Sequence, residues 1–510
     1  MRRMLGLLTG SLLFIGCGPG EEPAAEAPAD SVSDAAAPAP NPTRNAYFGD
    51  LHVHTTYSLD AFVFGTTADP DAAYEFAKGA AILHPAGFEM KLDRPLDFQA
   101  VADHGWYLGM LAAMTDPASS AYDHPIAESV RTARSADERR GNFMAVGPYW
   151  NGEPGTEEHL SMDIVRDAWE KIEAAANRHN DPGTFTAFIG YEYTSAGVGG
   201  TNLHRNVIFR GAAAPTLPFT RIDSSNPEDL WAAMDQWRAQ GIDSLAIPHN
   251  SNASAGRMFE LEYYNGGAID DAYSELRSRN EPVVETYRDT YYHTWGASGL
   301  AGVWAEENTR EAIFQALRRK ETFATSGPRI RVRFFSWAGT TSADLGDPGF
   351  LTRAYAEGVS MGGDLSTSNG AAPTFAAWAL RDPLAAPLDR LQIIKGWSEN
   401  GNSEEVVYDL ACSDGAAVDP ATGRCPDNGA SVDLATCAIG ADVGANELKA
   451  VWTEPDFDPA RRAFYYVRVL EKPTCRWSTW DALREGVEPR RDMPSTIQER
   501  AWSSPIWYSP

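Results

Sequence analysis

Two histidines one residue apart, His52 and His54, close the run Asp50-Leu51-His52-Val53-His54. The preceding Asn45-Ala46-Tyr47-Phe48-Gly49 reads as a β-strand feeding a Thr/Ser-rich loop. Strand side chains alternate, so His52 and His54 project together while Val53 turns to the other face. Paired imidazoles at a strand end can form one edge of a metal site. The same pair could equally be two hydrogen-bonded surface histidines. More imidazoles follow at the ends of apolar runs: His104 in Ala100-Val101-Ala102-Asp103-His104, and His249 in Leu245-Ala246-Ile247-Pro248-His249. Beside them stand Glu192 in Phe188-Ile189-Gly190-Tyr191-Glu192 and His204 in Asn202-Leu203-His204-Arg205. Arg205 is the candidate for holding a substrate. His84, His124, His159 and His179 sit in polar or helical contexts without partners and read as surface residues.

The elements that must position these residues alternate in type. Strand patterns at 96–102, 184–193, 206–209 and 244–247 are interleaved with helical patterns at 70–78, 164–180, 227–240, 270–279 and 309–320. The last opens on Asn308-Thr309 and closes on Arg318-Arg319-Lys320, matching cap and dipole preferences. Such alternation predicts a parallel-stranded, barrel-like α/β domain over residues 45–328. In parallel barrels the C-terminal strand ends converge on one mouth, so imidazoles and carboxylates at several such ends predict one shared site. After Ser326-Gly327-Pro328 the texture changes. Patterns at 329–335, 374–380, 391–395, 404–409 and 463–470 read as strands between turns, with helices scarce. Residues 329–510 are therefore expected to form a β-sandwich-like domain.

A chain of 510 residues suits two or three domains, and 43% hydrophobic content is that of a globular protein. The net charge of −27 argues against a nucleic-acid partner, which needs a basic footprint. It leaves room for a phosphorylated small molecule, since bound cations can reverse a local field. The N-terminus reads as a targeting segment. Arg2 and Arg3 precede an apolar stretch too short to span a bilayer, and Phe14-Ile15-Gly16-Cys17 resembles a bacterial lipobox. Residues 1–17 are thus expected to be a lipoprotein signal peptide with lipid on Cys17. The competing reading is an ordinary signal peptide with a coincidental cysteine. Residues 18–44, rich in Ala, Pro and acids, read as a disordered tether. This places the chain in the bacterial cell envelope, periplasmic or on the outer membrane, with the membrane as partner through its anchor. The four other cysteines, Cys412, Cys425, Cys437 and Cys475, form an even set, favouring disulfides over a zinc site because no Cys-x-x-Cys spacing is present.

The order His-x-His, strand-terminal Asp-His, Glu, Leu-His and Pro-His resembles the PHP (polymerase and histidinol phosphatase) metal-dependent phosphoesterases. Longer stretches resemble a bacterial exported domain-of-unknown-function family related to PHP proteins. They include Tyr47-Phe48-Gly49-Asp50-Leu51-His52-Val53-His54-Thr55, Asn202-Leu203-His204-Arg205-Asn206, Gly302-Val303-Trp304-Ala305-Glu306-Glu307-Asn308 and Thr496-Ile497-Gln498-Glu499-Arg500-Ala501. The resemblance runs from about residue 45 to residue 510. It implies a distorted (β/α)7 barrel holding one to three divalent ions, with Zn, Mn or Fe suiting the imidazole–carboxylate mixture better than Ca. It assigns His52, His54 and Glu192 to one ion, His104 with Asp60 to a second, and Glu192, His204 and His249 to a third. The implied activity is hydrolysis of a small-molecule phosphoester. The resemblance breaks between Glu285 and Gly302, where relatives carry a longer segment ending in an Asp- and His-bearing motif. Asp289 and His293 are the nearby substitutes, at a spacing wrong for a strand pair. A non-catalytic, PHP-derived binding module with an incomplete metal site is the alternative, and a deletion of an internal piece is a third reading.

Overall fold

The strand carrying the His-x-His pair, β1 (Asn45–Val53), is flanked on both sides, and the sheet grows outward from it. The computed structural model describes residues 39–197, 199–285, 299–339, 343–367, 370–440 and 443–510, with the side chains of 136, 150 and 151 left aside. Beyond β1 come β2 (Phe98–Val101), β3 (Thr186–Tyr193), β4 (Arg205–Phe209), β5 (Ser244–Pro248), β6 (Leu300–Ala305) and β7 (Thr322–Thr325). The second half adds β8 (Arg331–Trp337), β9 (Val359–Ser360), β10 (Asp364–Leu365), β11 (Thr374–Leu380), β12 (Leu388–Glu399) and β13 (Asn402–Cys412). It closes with β14 (Glu447–Thr453), β15 (Ala463–Glu471), β16 (Arg500–Ser503) and β17 (Ile506–Tyr508).

These strands form a mixed α/β architecture around one large sheet, ordered β10-β17-β15-β16-β7-β6-β1-β2-β3-β4-β5, with β12 added on β15 and β13 on β12. Strand direction is mixed. β1, β2 and β3 pair in parallel, whereas β3–β4, β4–β5, β1–β6 and β6–β7 pair antiparallel. The parallel-stranded expectation holds across β1, β2 and β3 and fails beyond them, at β3–β4 because of connection length. Residues 194–204 between β3 and β4 are too few for a helical crossover, so the chain must double back. A smaller sheet, β9-β8-β11-β14, lies in the second half.

The helices begin where capping chemistry permits. Pro70–Ala77 (α1) starts with Pro at its first position, and Asp69 accepts from Ala72 N–H. Met162–His179 (α2), Pro227–Ala239 (α3) and Arg310–Arg318 (α4) are capped by Ser161, Asn226 and Thr309. α2 buries Val165, Ala168, Trp169, Ile172 and Ala176 against β3, all eight of whose residues are buried. Gly49 lets β1 approach β2, since a Cβ there would stand 2.2 Å from the Phe98 carbonyl oxygen. Two helices of the second half, Phe350–Glu357 and Trp477–Glu485, lie where helices were expected to be scarce.

One core bridges the position where the texture of the sequence changes. Phe48, Trp304 and Phe323 from the first half pack with Val332, Phe375, Tyr465 and Ile506 from the second. The last strands seal the junction, β16 pairing with both β7 and β15.

Cys412 is bonded to Cys425 and Cys437 to Cys475. Their sequence separations of 13 and 38 residues set how much each restricts the unfolded chain. Loss of the longer link through paired Cys437→Ser and Cys475→Ser is expected to cost about 1 kcal/mol more than loss of the shorter one. Denaturant midpoints of the two double variants check this ranking; a larger loss from the Cys412–Cys425 pair would overturn it.

Candidate metal centre

Glu192, at the end of the fully buried β3, is 1% exposed, and five histidines surround its carboxylate. On one oxygen, Oε1, His204 Nδ1 lies at 2.6 Å, His104 Nδ1 at 3.1 Å and His249 Nε2 at 3.6 Å. On the other, Oε2, His54 Nε2 lies at 3.1 Å and His52 Nε2 at 3.4 Å. The six residues expected at the site therefore meet in one place.

The backbone explains the convergence. A register shift between Asp50 and Val53 marks a β-bulge near the end of β1, a feature that re-aims side chains. Beyond β2, His104 forms a parallel bridge directly to Glu192. His204 precedes β4 and His249 follows β5, and the His249 N–H donates to the His204 carbonyl at 3.1 Å. The grouping differs from the one the resemblance implied. His52 falls with Glu192 and His249, and His54 with Glu192 and His104; in each group the ligand atoms lie within 4.8 Å of one another. Ring centroids 4.2 Å apart for His52–His249 and 4.7 Å for His54–His104 follow the same division.

Carboxylates hold two of the rings from behind. Nδ1 of His52 is 2.9 Å from Glu285 Oε2, and Nδ1 of His54 is 3.1 Å from Asp60 Oδ1. An imidazole whose Nδ1–H is taken by a carboxylate presents its Nε2 lone pair inward, the arrangement found behind metal-bound histidines. Asp60 also reaches His104, with 3.6 Å between its Oδ2 and Nε2 of that ring. The loop after β1 is pinned by buried Asp103, which accepts from both the N–H and the hydroxyl of Thr55.

The donors fit divalent cations. Among the described residues, both ring nitrogens of buried His249 and Nε2 of His54 lack a hydrogen-bond partner; the two Nε2 atoms are near Glu192 but outside hydrogen-bond geometry. Buried polar atoms without partners are costly, and a cation between these atoms would satisfy them. Without one, the charges balance internally. Burial opposes protonation of His52, yet Glu192 and Glu285 raise it to about 9. Burial likewise opposes charge on His54 and His104, but Asp60 and Glu192 raise both to about 10. Burial holds His249 down at about 4, helped by its neighbour His52. Glu192 itself stays far below the usual carboxylate range despite burial, because His104, His204 and His249 surround it.

Other expected residues fare differently. Arg205 is 2% exposed, with Nε donating to Glu281 at 2.7 Å and a second nitrogen donating to the Leu203 carbonyl. Its guanidinium is thus committed to the interior, and the substrate-binding expectation is not carried forward. His124 is buried rather than on the surface, 2.8 Å from the Tyr107 hydroxyl. Asp289, His293 and Cys17 lie outside the described residues. Glu285 was missed as a site residue; its signal was an acid closing the extended stretch after Glu281.

Among solved structures, the chain is similar to a two-domain protein from Bacteroides vulgatus ATCC 8482, described as containing a predicted PHP-like metal-dependent phosphoesterase. The identity is 12% and the TM-score 0.30, over 84% of this chain and 92% of that one, a likeness too slight to argue from. No curated protein matches the sequence. The family described as "Protein of unknown function (DUF3604)" matches residues 41–290 and 286–510. The two blocks together span nearly everything after the N-terminal segment, and the chain belongs to this DUF3604 family.

Proposed function

We propose that the protein is an exported, lipid-anchored, metal-dependent hydrolase of phosphoesters. The observation that carries this reading is the convergence of five imidazoles on one buried carboxylate, with three of their nitrogens lacking a hydrogen-bond partner among the described residues. In the proposed site His52, Glu192 and His249 hold one ion and His54, His104 and Glu192 another, with His204 available to a third. The nitrogen-rich donor set favours Zn, Mn or Fe. Divalent ions held there would supply charge stabilisation to a phosphoryl group. The chain's own part is orientation. Glu285 and Asp60 fix the rings of His52 and His54, and Asp103 fixes the loop that follows them. The strands bearing the site are read as a distorted (β/α)7 barrel, with residues 329–510 as a β-sandwich-like second domain.

The experiment is elemental analysis of the purified full chain, paired with a phosphoester and sulfoester panel. Bound Zn, Mn or Fe with phosphoester turnover is the expected result, and His52→Ala with His54→Ala is expected to abolish both. A second reading, a binding module without turnover, is favoured by one observation: the family match is broken into blocks meeting at 286–290, where the connection from Glu285 to Gly302 is short. Metal uptake without turnover on the panel would select it.

The two disulfides fit maturation in an oxidising compartment, and no helix among the described residues is long and apolar enough to cross a membrane. Attachment is proposed to be through Cys17. Cys17→Ser is expected to move the protein from the membrane fraction to the soluble one, and unchanged fractionation would overturn the anchor.

A further inference from the structure

The start of β1 borders a different kind of space from its end. A cavity of about 760 Å³ opens beside Ala46 and Phe48, lined by Arg94, Arg329, Arg331 and Arg381 together with Asp97 and Asp382. Four arginines against two aspartates leave a formal excess of two positive charges, in a chain whose net charge is −27. Phe48 and His52 are four residues apart on the strand, roughly 13 Å at the usual rise, so the cavity is separate from the histidine cluster.

The carboxylates in this cavity are already engaged. Asp382 is 1% exposed, is gripped by two nitrogens of Arg94, and also accepts from the Arg329 N–H at 2.8 Å and the Leu384 N–H at 3.1 Å. Asp97 accepts from the Phe48 N–H at 2.7 Å. Three guanidinium groups are held in place. Arg94 is fixed by Asp382, and Arg329 donates to the Arg94 and Pro95 carbonyls above the Phe48 ring. Arg381 donates to the Asn446 side chain at 3.1 Å and the Ala385 carbonyl at 2.8 Å. The fourth, Arg331, is exposed and makes no hydrogen bond or ion pair among the described residues. The three fixed guanidinium groups hold positive charge in place around the cavity, and the planar fork of the uncommitted Arg331 is left to match carboxylate or phosphoryl oxygens.

We propose that this cavity is a binding site for a small organic dianion, whose oxyanion group is received by Arg331 and the neighbouring Arg329. The volume exceeds that of a bare inorganic ion, and Ala46, Leu380 and Pro383 give an organic body apolar wall to rest against. The site stands independently of the metal centre.

The test is calorimetric titration of the full chain at pH 8 with propyl phosphate and succinate as dianions and acetate as a monoanion. Saturable binding of at least one dianion, at least tenfold tighter than acetate, is expected; which dianion binds more tightly identifies the head group. Arg331→Gln should weaken that binding at least tenfold while leaving metal content and the fold unchanged, since the Arg331 side chain makes no hydrogen bond or ion pair among the described residues; Arg331→Glu should weaken it further. Binding to the metal centre would survive either substitution. Dianion binding that is absent, no tighter than acetate, or indifferent to Arg331→Gln would overturn the proposal.

Discussion

Glu192→Gln is expected to leave the protein without stoichiometric metal, with affinity reduced at least ~100-fold, beyond the range typical of losing an outer-shell partner. Glu192 is the one residue common to both candidate groups, so no subset of the remaining ligands replaces it. The amide keeps the shape and removes the charge, which separates a ligand role from a packing role. The metal-free proteins should also differ with pH. His52, His54 and His104 are raised to about 9, 10 and 10 against an ordinary 6.5, so their favourable protonation is fully present below 6.5 and fades as pH climbs through 9–10. Removing their shared acceptor should cost metal-free protein about 3 kcal/mol at pH 6 and far less near pH 10. Metal binding runs the opposite way, strengthening as pH rises, because ligands must shed protons. Elemental analysis and melts of chelator-treated protein at both pH values check this. Wild-type metal content in the variant would sink it.

The second large effect concerns Glu471, at the end of β15. Its side chain is fully buried, and among the described residues neither carboxyl oxygen has a hydrogen-bond partner of good geometry. Burial first, then the charges of Glu499 and Asp382, push it up to about 8, and the Arg381 charge and the Ala386 N–H offset only part of this. In the unfolded chain the same carboxyl ionises near its ordinary 4.5. Between these values the native state holds a proton that the unfolded state has lost, so stability falls as pH rises from 4.5 to 8 and stays lower above. Glu471→Gln removes the penalty. The variant should match wild type at pH 4.5 and exceed it at pH 8.5 by a few kcal/mol at most, about 2–5 °C in melting temperature for a chain of this size. Melting curves at the two pH values decide it; a difference that does not change with pH would refute the assignment.

Much of the site was legible because its residues sit next to apolar runs that can only be strands. His52 within β1 and His54 just past it, Glu192 in β3 and His249 after β5 were each marked by the apolar run leading to them. Strongly amphipathic helices were readable too, as at Thr309, whose cap announces Arg310–Arg318, whereas short or weakly amphipathic ones such as Leu59–Phe64, Ala127–Thr132 and Ala136–Ala145 were not. Strand direction was harder. Alternation of strand and helix suggests parallel pairing, and β4, β5, β6 and β7 instead run antiparallel to their neighbours. Pairing direction is set by connection length and by partners distant in sequence, neither of which a local pattern records. The ligand grouping was hidden for a similar reason. Residues two apart on β1 belong to different clusters because the bulge and the approach of His104 and His249 divide them. Glu285 escaped notice because its one local signal, an acid closing an extended stretch, does not distinguish a carboxylate behind an imidazole from one in solvent.

The pairing of β16 with β7 sets an order of events during synthesis. β7 ends at Thr325, and its partner begins only at Arg500, so the sheet that includes the histidine-bearing β1 stays open at that edge until that distant strand has been made. Such distant closure is slow, because a long loop must be ordered before the contacts that reward it can form. A nascent chain halted after residue 328 would expose β7 as an unpaired edge, the kind of surface on which chains aggregate. Closure of this sheet therefore waits on a strand that begins 174 residues past Ser326, just beyond the end of β7, and β16 acts as the latch.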